Sequence, residues 1–270
     1  MKTRIIAGSV FVVVLALTFF LAPVAVTAVT VAAMTVLASY ELLYTTGLVR
    51  NVRLNVYSAL MAVFLTAWSY LQGGHGPLLL GVLLYLMLLC SELLLSSGKE
   101  PVAGVGYCLL SGLVIPFLLT SLLRIRAWND GVLYLFVPFI MAYCSDTGAY
   151  FIGVTMGKHK MCPNISPKKS WEGFAGGIVI AALCMMLYAL LMEKLGGFRV
   201  NFALAAVYGL AGSLGSVFGD LSMSVIKRQT GIKDYGKLIP GHGGILDRFD
   251  SVLITAPLTE ALLLMIPFVE

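Results

Sequence analysis

The chain has 270 residues, of which 59% are hydrophobic and 11% are charged. A soluble domain carries about 25% charged residues, so this composition and a mean hydropathy of +0.95 exclude an ordinary soluble protein and indicate a membrane protein. The net charge of +5 suits anionic lipid headgroups. Because the sequence has no basic helix and no basic patch interleaved with aromatic residues, we do not expect a nucleic acid partner.

Nine apolar segments predict a bundle of about nine transmembrane helices. Each is close to the roughly 20 residues that an α-helix needs to cross a bilayer. The segments are apolar on all sides, whereas the strands of a membrane barrel alternate, so we expect an all-α polytopic integral membrane protein. The predicted spans are Ile5–Leu21, Val24–Tyr44, Val56–Leu71, Leu78–Leu95, Val102–Leu123, Val132–Gly153, Phe174–Met192, Phe202–Phe218 and Phe249–Phe268.

The first segment also has features of a cleaved signal peptide. Lys2 and Arg4 precede its apolar run, and a stretch of small residues, Ala-Val-Thr-Ala, follows at 25–28. We favour a retained helix, because the apolar pattern continues directly into the second segment.

The distribution of lysine and arginine predicts the orientation in the membrane. Cytoplasmic loops hold an excess of these residues. With nine spans and a cytoplasmic N-terminus, 14 of the 18 basic residues fall on the cytoplasmic side and 4 on the other. The polar loops of the C-terminal half are therefore expected to face the cytoplasm.

Polar clusters divide the chain into two parts. Residues 1–130 are expected to form about five scaffold helices that contact lipid or a second copy of the chain, in which Glu41 and Glu92 are snorkelled or paired rather than catalytic. Residues 131–270 are expected to form the catalytic part. Its cytoplasmic loops are predicted at 154–173 and 219–250.

The eighth segment carries a polar stripe. Its polar residues recur at spacings of 3, 4, 4 and 3 and so share one helix face: Ser213, Ser216, Asp220, Ser224 and Lys227. A carboxylate at membrane depth is costly unless it is paired, metal-bound or facing water, which makes Asp220 a candidate functional residue. The alternative is a structural ion pair between Asp220 and Lys227 or Arg228.

Two further aspartates, Asp247 and Asp250, lie three residues apart at the predicted start of the last helix. Their spacing places both on one face, near a helix end that favours negative charge. Together with Asp220 they would form an all-oxygen site, which suits Mg²⁺ rather than zinc or copper. We therefore predict Mg²⁺ as cofactor, as one ion or as a two-ion cluster.

A glycine-rich turn separates these acids and reads Pro240-Gly241-His242-Gly243-Gly244. Such a turn leaves backbone N–H groups open to phosphate oxygens. For His242, we favour a structural or phosphate-contacting role over a role as base. Basic residues accompany the turn: Lys168, Lys169, Lys227, Arg228, Lys233 and Arg248. Carboxylates, basic residues and a glycine-rich turn on one membrane face are typical of polyphosphate chemistry. The GxxxxGK[ST] and GxGxxG patterns of the usual nucleotide folds are absent from the sequence.

At these residues the sequence resembles the phosphatidate cytidylyltransferases, also called CDP-diacylglycerol synthases. The signature spans Ser224 to Asp250 and reads Ser-Val-Ile-Lys-Arg, four residues, Lys-Asp, then Pro-Gly-His-Gly-Gly and finally Asp-Arg-Phe-Asp. Two further family motifs are Ser-Asp-Thr-Gly-Ala-Tyr at 145–150 and Ser-Pro-Lys-Lys-Ser-Trp-Glu-Gly at 166–173. The motifs cover roughly the last half of the chain, and the first half is similar only in hydropathy and length.

The resemblance implies transfer of CMP from CTP to phosphatidate, giving CDP-diacylglycerol and pyrophosphate, by a homodimer in a bacterial-type inner (plasma) membrane. We expect Asp220, Asp247 and Asp250 to bind metal, Lys227 and Arg228 to hold the lipid phosphate, and Asp146 to complete the polar cavity. The residues expected to bind the nucleotide are Lys168, Lys169, Lys233, Gly241, His242, Gly243, Gly244 and Arg248.

Two other functions are weighed against this one. A CTP-dependent kinase of polyprenol or another lipid would use similar residues but would release CDP. An ion-coupled transporter would bind its ion at Asp220 and would show inverted repeats in both halves. The polar clusters are confined to the second half, which argues against the transporter.

Overall fold

Helices dominate the computed structural model of the chain, which describes residues 2–96, 101–239, 241 and 243–269. The helices are α1 (Lys2–Ala16), α2 (Val24–Tyr40), α3 (Val52–Tyr70), α4 (His75–Leu95), α5 (Val102–Leu109), α6 (Ile115–Leu119), α7 (Ser121–Arg126), α8 (Gly131–Tyr134), α9 (Phe136–Phe139), α10 (Ser145–Met156), α11 (Trp171–Gly196), α12 (Phe202–Gln229), α13 (Leu246–Phe249) and α14 (Val252–Met265). The two strands are β1 (Lys160–Cys162) and β2 (Ser166–Ser170). Turns of π-helix occur at Leu17–Leu21, Glu41–Thr45, Leu110–Val114 and Ile140–Cys144.

Seven of the described helical stretches are long and apolar enough to cross a membrane: Val24–Thr45, Val52–Tyr70, His75–Leu95, Val102–Arg126, Gly131–Met156, Trp171–Gly196 and Phe202–Gln229. Two shorter apolar helices, Gly8–Leu21 and Val252–Met265, lie where the first and ninth segments were predicted. The structure thus confirms an all-α polytopic membrane protein. The count of nine spans stays a prediction, as does the side on which the N-terminus lies.

The structure differs from the predicted elements in the polar regions. The expected loop at 154–173 contains a hairpin, in which Lys160 pairs with Ser170 and Cys162 with Ser166 in antiparallel register. The eighth helix extends to Gln229, beyond the predicted end at Phe218. These elements carry many polar residues, and hydropathy therefore gives no signal for them.

The chain folds as two compact units. The first comprises the described residues up to Val132 together with Gln229–Phe249, and the second comprises Leu133–Arg228 with the described residues from Asp250 onward. The first part of the chain was expected to end near residue 130. The loop up to residue 250, expected in the catalytic part, belongs mostly to the first unit.

Tyr85 lies in the buried core of the first unit. This side chain is 3% exposed and packs with buried residues such as Leu65 and Leu89. Its hydroxyl donates to the Cys108 carbonyl at 2.7 Å and lies 2.9 Å from Ser58 Oγ. A polar group inside a membrane protein needs such internal hydrogen-bond partners, because no water is available there to bond to it.

Glycines allow the helices of the second unit to approach closely. A Cβ added at Gly209 in α12 would lie 2.5 Å from Ala182 Cα of α11, and one added at Gly177 in α11 would lie 2.8 Å from the Ser145 carbonyl oxygen of α10. Small residues at helix crossings are the usual means of packing transmembrane helices. They fix α10, α11 and α12 as the frame of the site described below.

We predict that Gly209→Ala lowers the stability of the protein by about 1–3 kcal/mol, because the added methyl group meets backbone atoms of α11. The matched control is Gly106→Ala in helix α5, where no atom lies within 4 Å of the added Cβ. That change should be neutral or stabilising by up to about 1 kcal/mol. Thermal unfolding of both variants in detergent measures the difference, and equal melting temperatures would contradict the prediction.

Candidate active site

The second unit contains a cavity of about 250 Å³ that is lined by both charged and apolar side chains. It lies where α10, the β1–β2 hairpin, α11 and α12 meet. Its lining residues are Asp146, Ala149, Tyr150, Met161, Ser166, Lys168, Lys169, Ser170, Gly173, Phe174, Val217 and Asp220. Two of the family motifs, at 145–150 and 166–173, therefore meet at one cavity.

The polar stripe predicted on the eighth helix forms one face of α12. Ser213, Ser216, Ser224 and Lys227 on this face are all buried. The serines bond to the acids and to the neighbouring helix: Ser224 Oγ donates to Asp220 Oδ1 at 3.2 Å, and Ser213 Oγ lies 2.7 Å from Ser145 Oγ. The 3-4 spacing thus gives the carboxylate at membrane depth the hydroxyl partners that it needs.

Asp220 forms an ion pair with Lys169 of strand β2, whose Nζ lies 2.6 Å from Asp220 Oδ2. The two side chains are only 25% and 20% exposed, so solvent screens the pair weakly. Lys169 Nζ is buried and makes no hydrogen bond to any other described residue, so Asp220 is its polar partner among the described residues. The pair differs from the alternative considered from sequence, in which Lys227 or Arg228 was the partner.

Asp146 has hydrogen bonds at both carboxylate oxygens. Ser216 Oγ donates to Oδ1 at 3.1 Å, and Ser251 Oγ donates to Oδ2 at 2.8 Å. The π-helical turn Ile140–Cys144 immediately precedes α10, the helix that carries Asp146. Asp146 thus lines the cavity as expected. Sequence reasoning missed Ser251, although this residue directly follows the Asp-Arg-Phe-Asp motif.

Asp250 precedes the last helix, which begins at Val252 rather than at the predicted Phe249. Its Oδ2 lies 3.9 Å from Lys227 Nζ, and its Oδ1 accepts the Ser251 N–H at 2.9 Å. Burial raises the pKa of the Asp250 carboxyl to about 7, the Asp220 carboxylate acts in the same direction, and the Lys227 ammonium opposes it. The Asp250 carboxyl therefore holds a proton more readily than an ordinary aspartate does.

Two other basic residues of the second unit are exposed. Lys168 lines the cavity, whereas Arg228 donates from Nε to the Ile165 carbonyl at 3.0 Å and so joins the end of α12 to the hairpin. The structure brings Asp146, Lys168, Lys169 and Asp220 together at the cavity. A role of Arg228 at the lipid phosphate stays a prediction.

The glycine-rich segment, defined as residues 233–247, belongs to the first unit. Asp247 is 7% exposed, and its Oδ2 accepts the N–H groups of Tyr235 at 2.8 Å and Gly244 at 2.9 Å. Gly241 and Gly243 have φ of 76° and 85°, a region that favours glycine. A cavity of about 570 Å³ lies beside the segment, lined by Thr45 and residues 232–237. The described residues of the segment thus surround a buried acid.

The remaining residues predicted to bind nucleotide have less defined surroundings. Lys233 lines the cavity beside the segment, and both Lys233 and Arg248 are exposed. Pro240 and His242 lie outside the described residues. The predicted phosphate contacts of Gly241, His242, Gly243 and Gly244 stay predictions.

Glu41 was expected to be snorkelled or paired, and the structure shows it paired with backbone N–H groups. It is 4% exposed and does not snorkel; instead its two oxygens accept the N–H groups of Ile245 and Leu246, each at 2.9 Å. A glutamate in an apolar segment signals a special environment. Its partners are 204 residues away in sequence, so no local pattern could identify them. Glu92 is paired as expected, with Arg53 at 3.5 Å.

The acids suit Mg²⁺ by their chemistry. Asp146, Asp220 and Asp250 of the second unit offer only oxygen donors, which this ion prefers. Over residues 2–96, 101–239, 241 and 243–269, no three His, Cys, Asp or Glu side chains already form a metal-binding group. Because Asp247 lies in the first unit, its joint site with Asp220 and Asp250 stays a prediction.

Known proteins provide an independent comparison. The profile of the cytidylyltransferase family matches residues 2–266. A phosphatidate cytidylyltransferase of Staphylococcus epidermidis is 37% identical over 184 residues, 68% of each chain. The proteins of the same name from Staphylococcus saprophyticus and Staphylococcus aureus are 37% identical over 179 and 174 residues, covering 66% and 65% of those chains and 66% and 64% of this one. Because the profile match extends over nearly the whole sequence, the chain belongs to the cytidylyltransferase family.

Proposed function

We propose that the chain is a phosphatidate cytidylyltransferase, which transfers CMP from CTP to phosphatidate and releases pyrophosphate. The observation that carries the proposal is the Lys169–Asp220 ion pair at a cavity framed by apolar helices. Such a cavity offers both signs of charge to a polyphosphate and sits among helices that contact lipid. The names of the relatives agree with this activity.

The reaction requires two anions to meet. A phosphate oxygen of phosphatidate forms a bond to the α-phosphorus of CTP, while the bond from that phosphorus to the oxygen bridging to the β-phosphate breaks. A lipid phosphate needs little proton removal to act as nucleophile, because its second pKa lies near neutrality. The main task of the protein is therefore electrostatic stabilisation rather than general base catalysis.

Lysines supply this stabilisation. Lys169 and Lys168 line the cavity and are proposed to hold the triphosphate and the departing pyrophosphate. Asp220 holds the Lys169 ammonium at the cavity before the nucleotide arrives. Lys227, buried on the polar face of α12 beside Asp250, is proposed to act with Arg228 on the lipid phosphate.

Asp220 and Asp250 are proposed to hold Mg²⁺, with Asp247 as the third ligand predicted from the sequence. When bound, Mg²⁺ would neutralise part of the negative charge of the phosphate groups. Lys169 would then exchange Asp220 for a phosphate group.

The membrane setting follows from the same chemistry. The acyl chains of phosphatidate can stay in the bilayer while the headgroup enters, because the cavity is framed by helices long enough to span the membrane. CTP is a cytoplasmic metabolite, and the excess of basic residues in the polar loops favours that side. A cytoplasm-facing site in the inner (plasma) membrane and a homodimer are parts of this proposal.

The products distinguish the proposed reaction from its closest rival. Purified protein in mixed micelles with CTP, phosphatidate and Mg²⁺ is expected to release pyrophosphate and form CDP-diacylglycerol. Release of CDP instead would indicate a CTP-dependent lipid kinase and would refute the proposal. Ion-dependent flux into liposomes without nucleotide would support a transporter.

We predict that Asp220→Asn lowers kcat by about 10²–10³-fold, an effect typical of losing one electrostatic group of a catalytic site. The substitution keeps the size of the side chain but removes its charge, so the pairing with Lys169 is lost. The control is Asp130→Asn, which changes an exposed acid in a turn of the first unit. Turnover by the purified variants provides the measurement, and normal activity of Asp220→Asn would rule out its catalytic role.

Lys169→Gln is predicted to weaken the use of CTP, raising KM for CTP or lowering kcat by about tenfold or more, because one ion pair with a phosphate is removed. Lys160→Gln is the matched control, since Lys160 lies in strand β1 of the same hairpin and is exposed. Initial rates at varied CTP compare the two variants. A similar loss in both would attribute the effect to the hairpin as a whole.

A further inference from the structure

We infer that Glu41 is a positioning residue, which holds the glycine-rich segment in the conformation that receives the nucleotide. The role of the segment in nucleotide binding rests on the proposed function. The contacts of Glu41 with the segment do not, because they are contacts within the first unit.

The first contact is a pair of hydrogen bonds. Glu41 Oε1 accepts the Ile245 N–H and Oε2 accepts the Leu246 N–H, each at 2.9 Å. Glu41 is 4% exposed, so water cannot take over these bonds. Loss of a partner in such a setting leaves buried backbone donors unsatisfied, which is among the more costly changes that a single substitution can cause.

The second contact is steric. A Cβ added at Gly244 would lie 2.2 Å from Glu41 Oε1, and one added at Gly236 would lie 2.5 Å from the same oxygen. Any side chain at either position would collide with the carboxylate. A side chain there would have to displace the carboxylate from the Ile245 and Leu246 N–H groups, which is a structural reason for glycine separate from any phosphate contact.

The third contact comes from the same π-helical turn, Glu41–Thr45. The Thr45 hydroxyl donates to the Tyr235 carbonyl, and the Tyr235 N–H donates to Asp247. One turn of the second helix thus holds the segment near both of its ends, at Tyr235 and at Ile245. Asp247 joins these two ends from within the segment.

The segment depends on these contacts because it has little regular structure of its own. Apart from the short α13, its described backbone forms one isolated bridge, between Ile239 and Gly243. Without Glu41 the binding conformation would be populated only part of the time. The apparent affinity for a ligand is proportional to the fraction of molecules in the competent conformation, so it falls when that fraction falls. Bound nucleotide restores that conformation, so turnover at saturation changes little.

The test is Glu41→Gln, which keeps the length of the side chain but turns one acceptor into a donor facing a backbone N–H. We expect KM for CTP to rise about tenfold while kcat changes less than about threefold. The matched control is Glu92→Gln, which alters another buried acid of the same unit whose partners are Arg53 and Asn51. This control should leave KM for CTP unchanged.

Hydrogen exchange provides a readout that does not need activity. Peptides covering residues 233–249 should exchange about tenfold faster in Glu41→Gln than in wild type, saturating CTP should slow them again, and Glu92→Gln should show no change there. Unchanged exchange of these peptides, or an equal increase throughout the chain, would overturn the inference. If Glu41→Gln does not fold, Thr45→Val should show the same changes at smaller size, and their absence would equally overturn it.

The two proposals can fail separately. If wild-type protein transfers no CMP but these peptides still exchange faster only in Glu41→Gln, the proposed function is wrong and Glu41 positions the segment for another ligand. If wild-type protein transfers CMP and Glu41→Gln behaves like wild type in both assays, the proposed function stands and the positioning role is wrong.

Discussion

An acid within a helix at membrane depth must have partners, and this constraint organises the molecule. Asp220 is paired with Lys169, Asp146 accepts hydrogen bonds from Ser216 and Ser251, and Glu41 accepts two backbone N–H groups. Each arrangement lowers the large free-energy cost of a carboxylate in a medium of low dielectric constant. The partners come from loops and neighbouring helices, so satisfying the acids also brings distant parts of the chain together.

The parts of the fold that hydropathy and periodicity determine could be predicted from the sequence. Apolar runs located the long helices, and the 3-4 spacing placed Ser216, Asp220 and Lys227 on one buried face of α12. The partner of Asp220 could not be predicted, because Lys169 lies on a polar hairpin that no hydrophobic pattern reveals. The position of the last helix was also missed, since Asp250 precedes its start.

Glu41 illustrates a different limit of sequence reasoning. A lone acid in an apolar helix can snorkel, pair with another side chain or bind backbone, and the local sequence is the same in all three cases. Only the folded chain shows that two N–H groups of the glycine-rich segment meet it. The glycine-rich turn was correspondingly interpreted only as a phosphate-binding feature, whereas Gly244 also packs against the Glu41 carboxylate, which a side chain at that position would displace.

The distance along the chain between Glu41 and Ile245 affects how the protein is made. Translation proceeds at about 5–20 residues per second. Because 204 residues separate the two, Ile245 leaves the ribosomal tunnel roughly 10–40 s after Glu41. During that time its carboxylate lacks its final partners. Glu41 lies near the end of the apolar stretch Val24–Thr45, and a carboxylate near a helix end can extend toward water. An acid in that position tolerates the delay better than one at the centre of a membrane helix would.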